Sequence, residues 1–180
     1  SFEGLGAWQI LTDSSYRPIF ITGYANALAL NSYINALMFG LFQLLGGEAG
    51  PLAMRVTAAA FGVLGVAALY GLASELQKLH KGSLSIAFPF FAAASLALMR
   101  WHIHFSRMAI EPIFVPLLWT LVTWLLLRGW RTGRWQAFAL GGVLTAAAMY
   151  TYQGAWVIPF LAVIQVGLLA LSSRPKSNQD

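Results

Sequence analysis

Residues 99–117, which read M-R-W-H-I-H-F-S-R-M-A-I-E-P-I-F-V-P-L, place charged and polar side chains between two long apolar runs. The stretch holds two arginines, two of the three histidines and one of the six acids of the chain. A carboxylate that begins an apolar run is costly in a membrane, so Glu111 is a candidate site residue. The alternative is structural, because a carboxylate beside Pro112 also suits the start of a helix, where unpaired amides stabilise it.

The composition of the chain identifies a membrane protein. Of its 180 residues, 58% are hydrophobic and only 9% are charged, which is too few to cover a water-soluble domain. The net charge is +5, yet seven of the eleven lysines and arginines lie in short clusters at the ends of apolar runs, where they set topology. No basic face remains for nucleic acid. The absence of cysteine excludes disulfides, thiolate metal sites and cysteine nucleophiles.

Apolar runs of membrane-spanning character follow one another from residue 52 onward. The sequence therefore predicts an all-α fold, a polytopic bundle of about five transmembrane helices joined by short loops. Pro89 is expected to kink the second helix. We expect three parts: residues 1–51 as an outer-face loop with juxtamembrane helices, 52–172 as the bundle, and 173–180 as a cytoplasmic tail. The predicted spans are residues 52–74, 84–99, 110–127, 136–152 and 155–171.

The basic clusters predict the orientation of the bundle. All of them fall on one side if five spans alternate, and that side is then cytoplasmic. The clusters are Lys78 with Lys81, Arg128 with Arg131 and Arg134, and Arg174 with Lys176. The opposite, outer side holds the first loop, a loop at residues 100–109, and residues 150–154. It also holds four arginines, which bind an anionic ligand or anchor the chain by snorkelling. They are Arg17, Arg55, Arg100 and Arg107.

The first loop carries two helical patterns. Phe2, Leu5, Trp8, Ile10 and Leu11 indicate a short interfacial helix with one apolar stripe, which ends at residues 13–15. In residues 27–45 polar residues interrupt an apolar run, and two asparagines lie one turn apart on one face. This stripe favours a helix half embedded in the interface, although a span lining the bundle is also consistent with it. The interrupting residues are Asn31, Ser32, Asn35 and Gln43.

Two further clusters could carry chemistry. His102 and His104 lie close to Arg107 and Glu111 in sequence, so an acid, imidazoles and a guanidinium meet at one membrane face. Such a set could bind a divalent cation, but this histidine spacing is not a recognised metal motif on a helix. The second cluster forms an interfacial aromatic belt or a wall for a sugar ring. It comprises Tyr150, Tyr152, Gln153 and Trp156.

Several motifs together resemble the amino-terminal part of polytopic GT-C glycosyltransferases. The matching motifs are E-G-L-x-A-W-x-I-L (3–11), R-P-I-F (17–20), N-S-Y-I-N-A-L (31–37), P-L-A-M-R-V-T-A-A (51–59), H-F-S-R-M-A-I-E-P (104–112) and Y-T-Y-Q-G-A-W-V-I-P (150–159). The chain is similar to the protein O-mannosyltransferases and lipid A aminoarabinose transferases, in the bacterial group labelled family 39-like. The similarity covers nearly the whole sequence.

This resemblance implies roles for particular residues. Juxtamembrane helices of the family's first loop match residues 2–11 and 31–45, its arginine after that loop matches Arg55, and the acid that opens its fourth helix matches Glu111. The family's Asp-Glu pair would lie just before Ser1, so we expect a fragment without the catalytic aspartate, with Glu3 as its neighbour or remnant. Glu111 and Glu3 are thus the catalytic candidates. The substrate-binding candidates are Arg55, Arg107, His104, Tyr33 and Tyr152.

The resemblance also implies a reaction. A sugar would pass from a polyprenyl-phosphate donor to an acceptor, of unknown kind, at the outer face of a bacterial plasma membrane. A carboxylate would act as general base while cations stabilise the departing phosphate. Arg55 and Arg107 are then phosphate-binding candidates, and Glu111 binds a metal or shapes the site. The alternative is a non-enzymatic membrane module, such as part of a transporter, in which Arg107 and Glu111 form a buried structural pair.

Overall fold

The computed structural model describes residues 2–21, 27–80 and 84–172, and the predicted cytoplasmic tail lies outside them. The all-α prediction is confirmed: apart from a pair of two-residue antiparallel strands, β1 (Phe20–Ile21) and β2 (Ala27–Leu28), the regular structure of the described residues is helical. The α-helices are α1 (Phe2–Thr12), α2 (Leu30–Leu44), α3 (Pro51–Leu79), α4 (Phe88–Leu98), α5 (Arg100–Met108), α6 (Phe114–Thr132), α7 (Trp135–Met149) and α8 (Val157–Ser172).

Within the described residues, three helical segments are long and apolar enough to cross a membrane, and the chain is an integral membrane protein. They are Pro51–Leu79, Glu111–Thr132 and Gln153–Ser172. The last two include 3-10 turns, at Glu111–Ile113 and Gln153–Trp156, that lead into α6 and α8. The helices α4 and α7 are apolar but shorter. The count of five spans therefore stays a prediction, which depends on how these two shorter helices cross.

A helix follows the second predicted span, where the sequence predicts a loop. The sequence predicts an outer loop at residues 100–109, but residues 100–108 form α5, after a break at Met99, where the backbone is extended. The chain then runs antiparallel along α3: Gln77 Nε2 donates to the carbonyl oxygen of Ser85 at 2.8 Å, and His102 lies 3.0 Å from that of Gly62. The loop prediction was wrong. Most of the polar residues that suggested a loop lie on the side of α5 that faces away from α3.

The proline expected to kink this span instead helps to start it. Helix α4 begins at Phe88, so Pro89 lies in its first turn, where a missing backbone N–H leaves no intrahelical hydrogen bond broken. Residues 84–87, which the sequence assigns to the span, precede the helix. The predicted kink is therefore wrong, and the actual break in this span lies at Met99, between α4 and α5.

The polar stripe of α2 faces the protein and not the aqueous interface. Asn31, Ser32 and Asn35 are buried, and Asn35 Nδ2 donates to Asn31 Oδ1 at 3.0 Å. The opposite face exposes Leu37 and Leu44, at 77% and 86%. Since the asparagines are buried and hydrogen-bonded to each other inside the fold, their polarity is no longer a reason to place α2 at the interface. The interfacial position of α2 stays a prediction.

Helix α1 forms as predicted, but its apolar residues divide between two faces. Ile10 is buried together with Ala7, whereas Leu5 and Trp8 are exposed at 57% and 42%. The helix ends at Thr12, directly before Asp13, as the sequence indicates. There the Asp13 carboxylate accepts hydrogen bonds from the hydroxyl and backbone N–H of Ser15, which hold the pKa of this carboxyl below its ordinary value.

Two clusters of buried apolar side chains organise the described residues. One joins α1 and α2 to the first turn of α3 through Ala7, Phe39 and Met54. The other lies in the bundle around Ile113 and Val122, where Gln165 Nε2 of α8 also donates to the carbonyl oxygen of Thr123. Ala109, after α5, packs against both clusters. Helices α1 and α2 thus meet the bundle at the turn between α5 and α6.

The far ends of α3 and α6 lie together. Glu75 of α3 is 2% exposed and forms an ion pair with Arg131 in the last turn of α6, and with Lys78 at 3.9 Å. Basic residues of two separate clusters therefore lie at one end of the bundle, as the predicted alternation of spans requires. Lys81, Arg174 and Lys176, predicted on the same side, lie outside the described residues.

Single-cysteine labelling should place this end in the cytoplasm, because the basic clusters coincide there. These 180 residues contain no cysteine, so Arg134→Cys and Gln153→Cys each introduce a unique thiol once any cysteine outside this sequence is replaced. In intact cells a membrane-impermeant thiol reagent is expected to label position 153, whereas position 134 reacts only after lysis. Labelling of position 134 from outside in intact cells would show that the orientation is inverted.

Candidate functional site

Two candidate arginines meet in one open groove between α3 and α5. Arg55 lies in the first turns of α3 and Arg107 in the last turn of α5, and the antiparallel course of the helices brings these ends together. The groove has a volume of about 550 Å³ and is lined by Arg55, Val56, Ala59, Ser106 and Arg107. Both arginines are exposed. Two guanidinium groups beside one open space can bind an oxyanion such as a phosphate.

Close packing of small residues holds α5 against α3. A Cβ atom on Gly62 would lie 2.7 Å from Cβ of Ser106, so glycine is required for this approach. His102 is buried beside it, and its Nε2 lies 3.0 Å from the carbonyl oxygen of Gly62. Because a carbonyl only accepts, Nε2 carries the proton in this contact. The sequence treats both histidines as site candidates, but His102 fixes the position of α5.

His104, the other histidine, lies on the side of α5 that faces away from α3. His104 is exposed, and its ring contacts those of Trp101 and Phe105, with centroids 6.5 and 6.0 Å away. It is not among the residues that line the groove. Within the described residues, no three histidine or acidic side chains gather as metal ligands do. The substrate contact predicted for His104 and the possible divalent cation stay predictions.

A left-handed turn links Arg107 to Glu111. Ala109 has φ 55° and ψ 47°, a conformation that costs a residue with a side chain about 1–2 kcal/mol. Glu111 then begins the 3-10 turn before α6, as the sequence predicts, and it is partly buried. Backbone strain of this kind persists where the surrounding structure enforces it, and it is frequent at functional sites. The turn places the two candidate residues at one end of the bundle.

Beneath this turn lies the buried asparagine pair of α2. Asn31 and Asn35 line a small cavity together with Thr57 of α3, Ala109 and Ile110. Its volume of about 10 Å³ is at the lower limit for one ordered water. In the sequence, Asn31 and Asn35 are four residues apart, and this spacing favours a polar stripe on the surface of a helix. Their position indicates instead that they support the turn from below.

Three other candidates lie apart from the groove or outside the described side chains. Tyr33 is half-buried, and its hydroxyl donates to the carbonyl oxygen of Pro18 at 3.2 Å, which ties α2 to the chain before β1. Tyr152 is 39% exposed and packs beside Gly154 between α7 and α8. The side chain of Glu3 lies outside the described residues. The roles predicted for these three residues stay predictions.

The four arginines assigned to the outer side divide into two kinds. Arg17 has a structural role, because its Nη1 donates to the carbonyl oxygens of Ile10, Asp13 and Tyr16 at 2.8–3.1 Å. Arg55 and Arg107 line the groove, and Arg100 is exposed at the start of α5. Three of the four arginines thus expose their guanidinium groups outside the contact between α3 and α5.

The fold and this site together define a polytopic membrane protein with a basic groove at one end of its helix bundle. A family profile described as dolichyl-phosphate-mannose-protein mannosyltransferase matches residues 30–179, which is more than half of the chain. The chain belongs to this family, and the resemblance drawn from its motifs is confirmed. Searches of curated proteins and of solved structures found no match. The family indicates a membrane glycosyltransferase and implies a lipid-linked sugar donor.

Proposed function

We propose that the full-length protein transfers a sugar from a polyprenyl-phosphate donor to an acceptor at the extracytoplasmic face of a bacterial plasma membrane. The observation that carries this proposal is the convergence of Arg55 and Arg107 in one groove. The leaving group of such a donor is a lipid phosphate, whose charge grows as the bond from the sugar to the phosphate oxygen breaks. Guanidinium groups placed beside that oxygen stabilise the developing charge.

The position of the groove also supports this donor. Arg55 lies near the start of a helix of 29 residues, which at ~1.5 Å per residue exceeds a hydrocarbon core of roughly 30 Å. A phosphate held there would lie at the boundary of the membrane with its prenyl chain in the hydrocarbon. The basic clusters at the opposite end of the bundle support an extracytoplasmic position for the groove.

The reaction also needs a carboxylate side chain that acts as general base. A general base takes the proton of the acceptor hydroxyl, the acceptor oxygen bonds to the anomeric carbon, and the phosphate leaves with the electrons of the broken bond. Glu111 lies three residues past the end of α5, after the strained turn at Ala109. We assign Glu111 to shaping the site next to the phosphate. The resemblance assigns the base itself to an aspartate of the family's Asp-Glu pair.

The test is a pair of conservative variants in the full-length enzyme. Arg107→Lys keeps the charge but loses the planar two-pronged contact to an oxyanion, so kcat/KM for the polyprenyl-phosphate donor should fall by about tenfold or more. Glu111→Gln should lower kcat by a similar factor while leaving the yield of folded protein unchanged, because the amide preserves size. Transfer of labelled sugar to a purified acceptor measures both effects.

Arg134→Lys is the matched control, because Arg134 is also exposed but lies at the opposite end of the bundle. Its transfer rate should equal that of the wild type. Wild-type kinetics for Arg107→Lys would remove this arginine from phosphate binding. Full activity of Glu111→Gln would leave Glu111 as a residue that only starts the helix.

A further inference from the structure

The turn between α5 and α6 is strained at Ala109. Helices commonly end on a residue in the left-handed region of backbone space, and that residue is usually glycine, which has no Cβ atom to clash. Ala109 takes this conformation with φ 55° and ψ 47°, and among the described residues other than glycine it alone has a positive φ. Because such strain persists only where neighbouring groups enforce it, groups around the turn hold it in place.

The groups beneath the turn are polar and buried. Asn31 and Asn35 of α2 are each 3% exposed, and Thr57 of α3 is 2% exposed. All three line the small cavity that Ala109 and Ile110 also line. A buried polar side chain costs free energy unless it is hydrogen-bonded, so three of them at one cavity indicate that hydrogen bonds are made there.

The cavity has room for one water molecule, which in a protein interior bonds to roughly two to four polar groups. The amide oxygen of Asn35 is a hydrogen-bond acceptor. The hydroxyl of Thr57 donates to the carbonyl oxygen of Ala53 at 2.9 Å and can accept a bond as well. A water in this cavity can therefore bond to α2, to α3 and to the backbone of the turn at the same time.

We propose that Asn35 is a positioning residue, which holds the turn at Ala109 through one water in this cavity and so fixes Glu111 at the site. Glu111 begins the 3-10 turn two residues after Ala109, so a change in the torsions of the turn moves it directly. Asn31 orients the amide of Asn35, because its Oδ1 accepts a hydrogen bond from Asn35 Nδ2 at 3.0 Å. The link between α2 and the turn belongs to the fold, whereas its effect on catalysis rests on the proposed function.

The kinetics of Asn35→Leu in the full-length enzyme test this role. Leucine is of similar size but cannot bond to the water, so kcat for transfer from a polyprenyl-phosphate donor should fall by about tenfold per folded protein. KM for the donor should change by less than about twofold, because Arg55 and Arg107 are held by the packing of α5 on α3. Wild-type kcat in Asn35→Leu would overturn the proposal.

Two variants show whether the cavity is responsible. Thr57→Val keeps the shape of the side chain and removes its hydroxyl, so kcat should fall by about threefold or more. Gln43→Leu makes the same change from polar to apolar at an exposed position of α2 that does not line the cavity, and its kcat should equal that of the wild type. Wild-type kcat in Thr57→Val would overturn the link through water.

A second substitution distinguishes positioning from a general loss of packing. Glycine enters the left-handed region without strain, so Ala109→Gly makes the turn less dependent on support from below. Added to Asn35→Leu, it should raise kcat by about threefold or more. If Asn35→Leu acted only by weakening the fold, this addition would leave kcat low, and the proposal would be rejected.

A distance measurement separates this inference from the proposed function. Leu37 and Met108 are 77% and 51% exposed, so spin labels on Leu37→Cys and Met108→Cys disturb little packing once any cysteine outside this sequence is replaced. The distribution of distances between them should broaden in Asn35→Leu and stay narrow in Gln43→Leu. Broadening in a protein that transfers no sugar from a polyprenyl-phosphate donor would retain the link and reject the function. An unchanged distribution together with wild-type kcat would retain the function and reject the link.

Discussion

Replacing Arg131 by methionine should lower the free energy of unfolding, because a buried carboxylate would lose its main partner. The Glu75 side chain is 3% exposed and pairs with Arg131, whereas Lys78 approaches it only to 3.9 Å. The Arg131 side chain is itself 35% exposed, so solvent screens the pair and the loss of stability should be smaller than for a fully buried pair. Unfolding in mixed micelles with increasing denaturing detergent measures this change.

Two further variants make the result specific. The double variant Glu75→Met with Arg131→Met should recover most of the stability, since packed apolar side chains of similar volume replace a buried ion pair at little cost. Arg134→Met, at a neighbouring exposed arginine, should change the stability by less than about 0.5 kcal/mol. If Arg131→Met and Arg134→Met were equally stable, the ion pair would contribute nothing to holding α3 against α6.

Replacing Gly62 by alanine should destabilise the protein by about 1–3 kcal/mol, because the added methyl group overpacks the contact between α3 and α5. The new Cβ atom would lie 2.7 Å from Cβ of Ser106, an atom fixed to the backbone, so the helices must separate. The same shift would lengthen the hydrogen bond from His102 to the Gly62 carbonyl and move Arg107 relative to Arg55. A fall in transfer activity should therefore accompany the lower thermal midpoint.

The chain supplies both a control and a rescue for this variant. Gly167 is also within a helix, but a Cβ atom there would meet nothing within 4 Å, so Gly167→Ala should be neutral or slightly stabilising. Ser106→Gly removes the atom with which the added methyl group would collide, and in combination with Gly62→Ala it should restore the midpoint. A single variant Gly62→Ala as stable as Gly167→Ala would contradict the close packing of the two helices.

The candidate site shows what local sequence patterns can predict and what they cannot. The sequence selects Arg55 and Arg107 because each is a basic residue on the side where topology disfavours it. It contains no signal that the two share a groove, since they are 52 positions apart and meet only when α5 packs antiparallel on α3. It also gives His102 and His104 the same interpretation, because neighbouring residues in a polar stretch differ only in the face of the helix on which they lie.

Composition and apolar runs by themselves determined that this protein is an integral membrane helix bundle, and its motifs determined the glycosyltransferase family. These properties belong to single segments, since the transfer of a helix into hydrocarbon depends on the residues of that helix. The tertiary structure decided that residues 100–108 form a helix packed on α3, that Asn31 and Asn35 face inward, and that Glu75 pairs with Arg131. Each of these depends on which helix lies alongside, and that is set by small residues such as Gly62 that allow close approach.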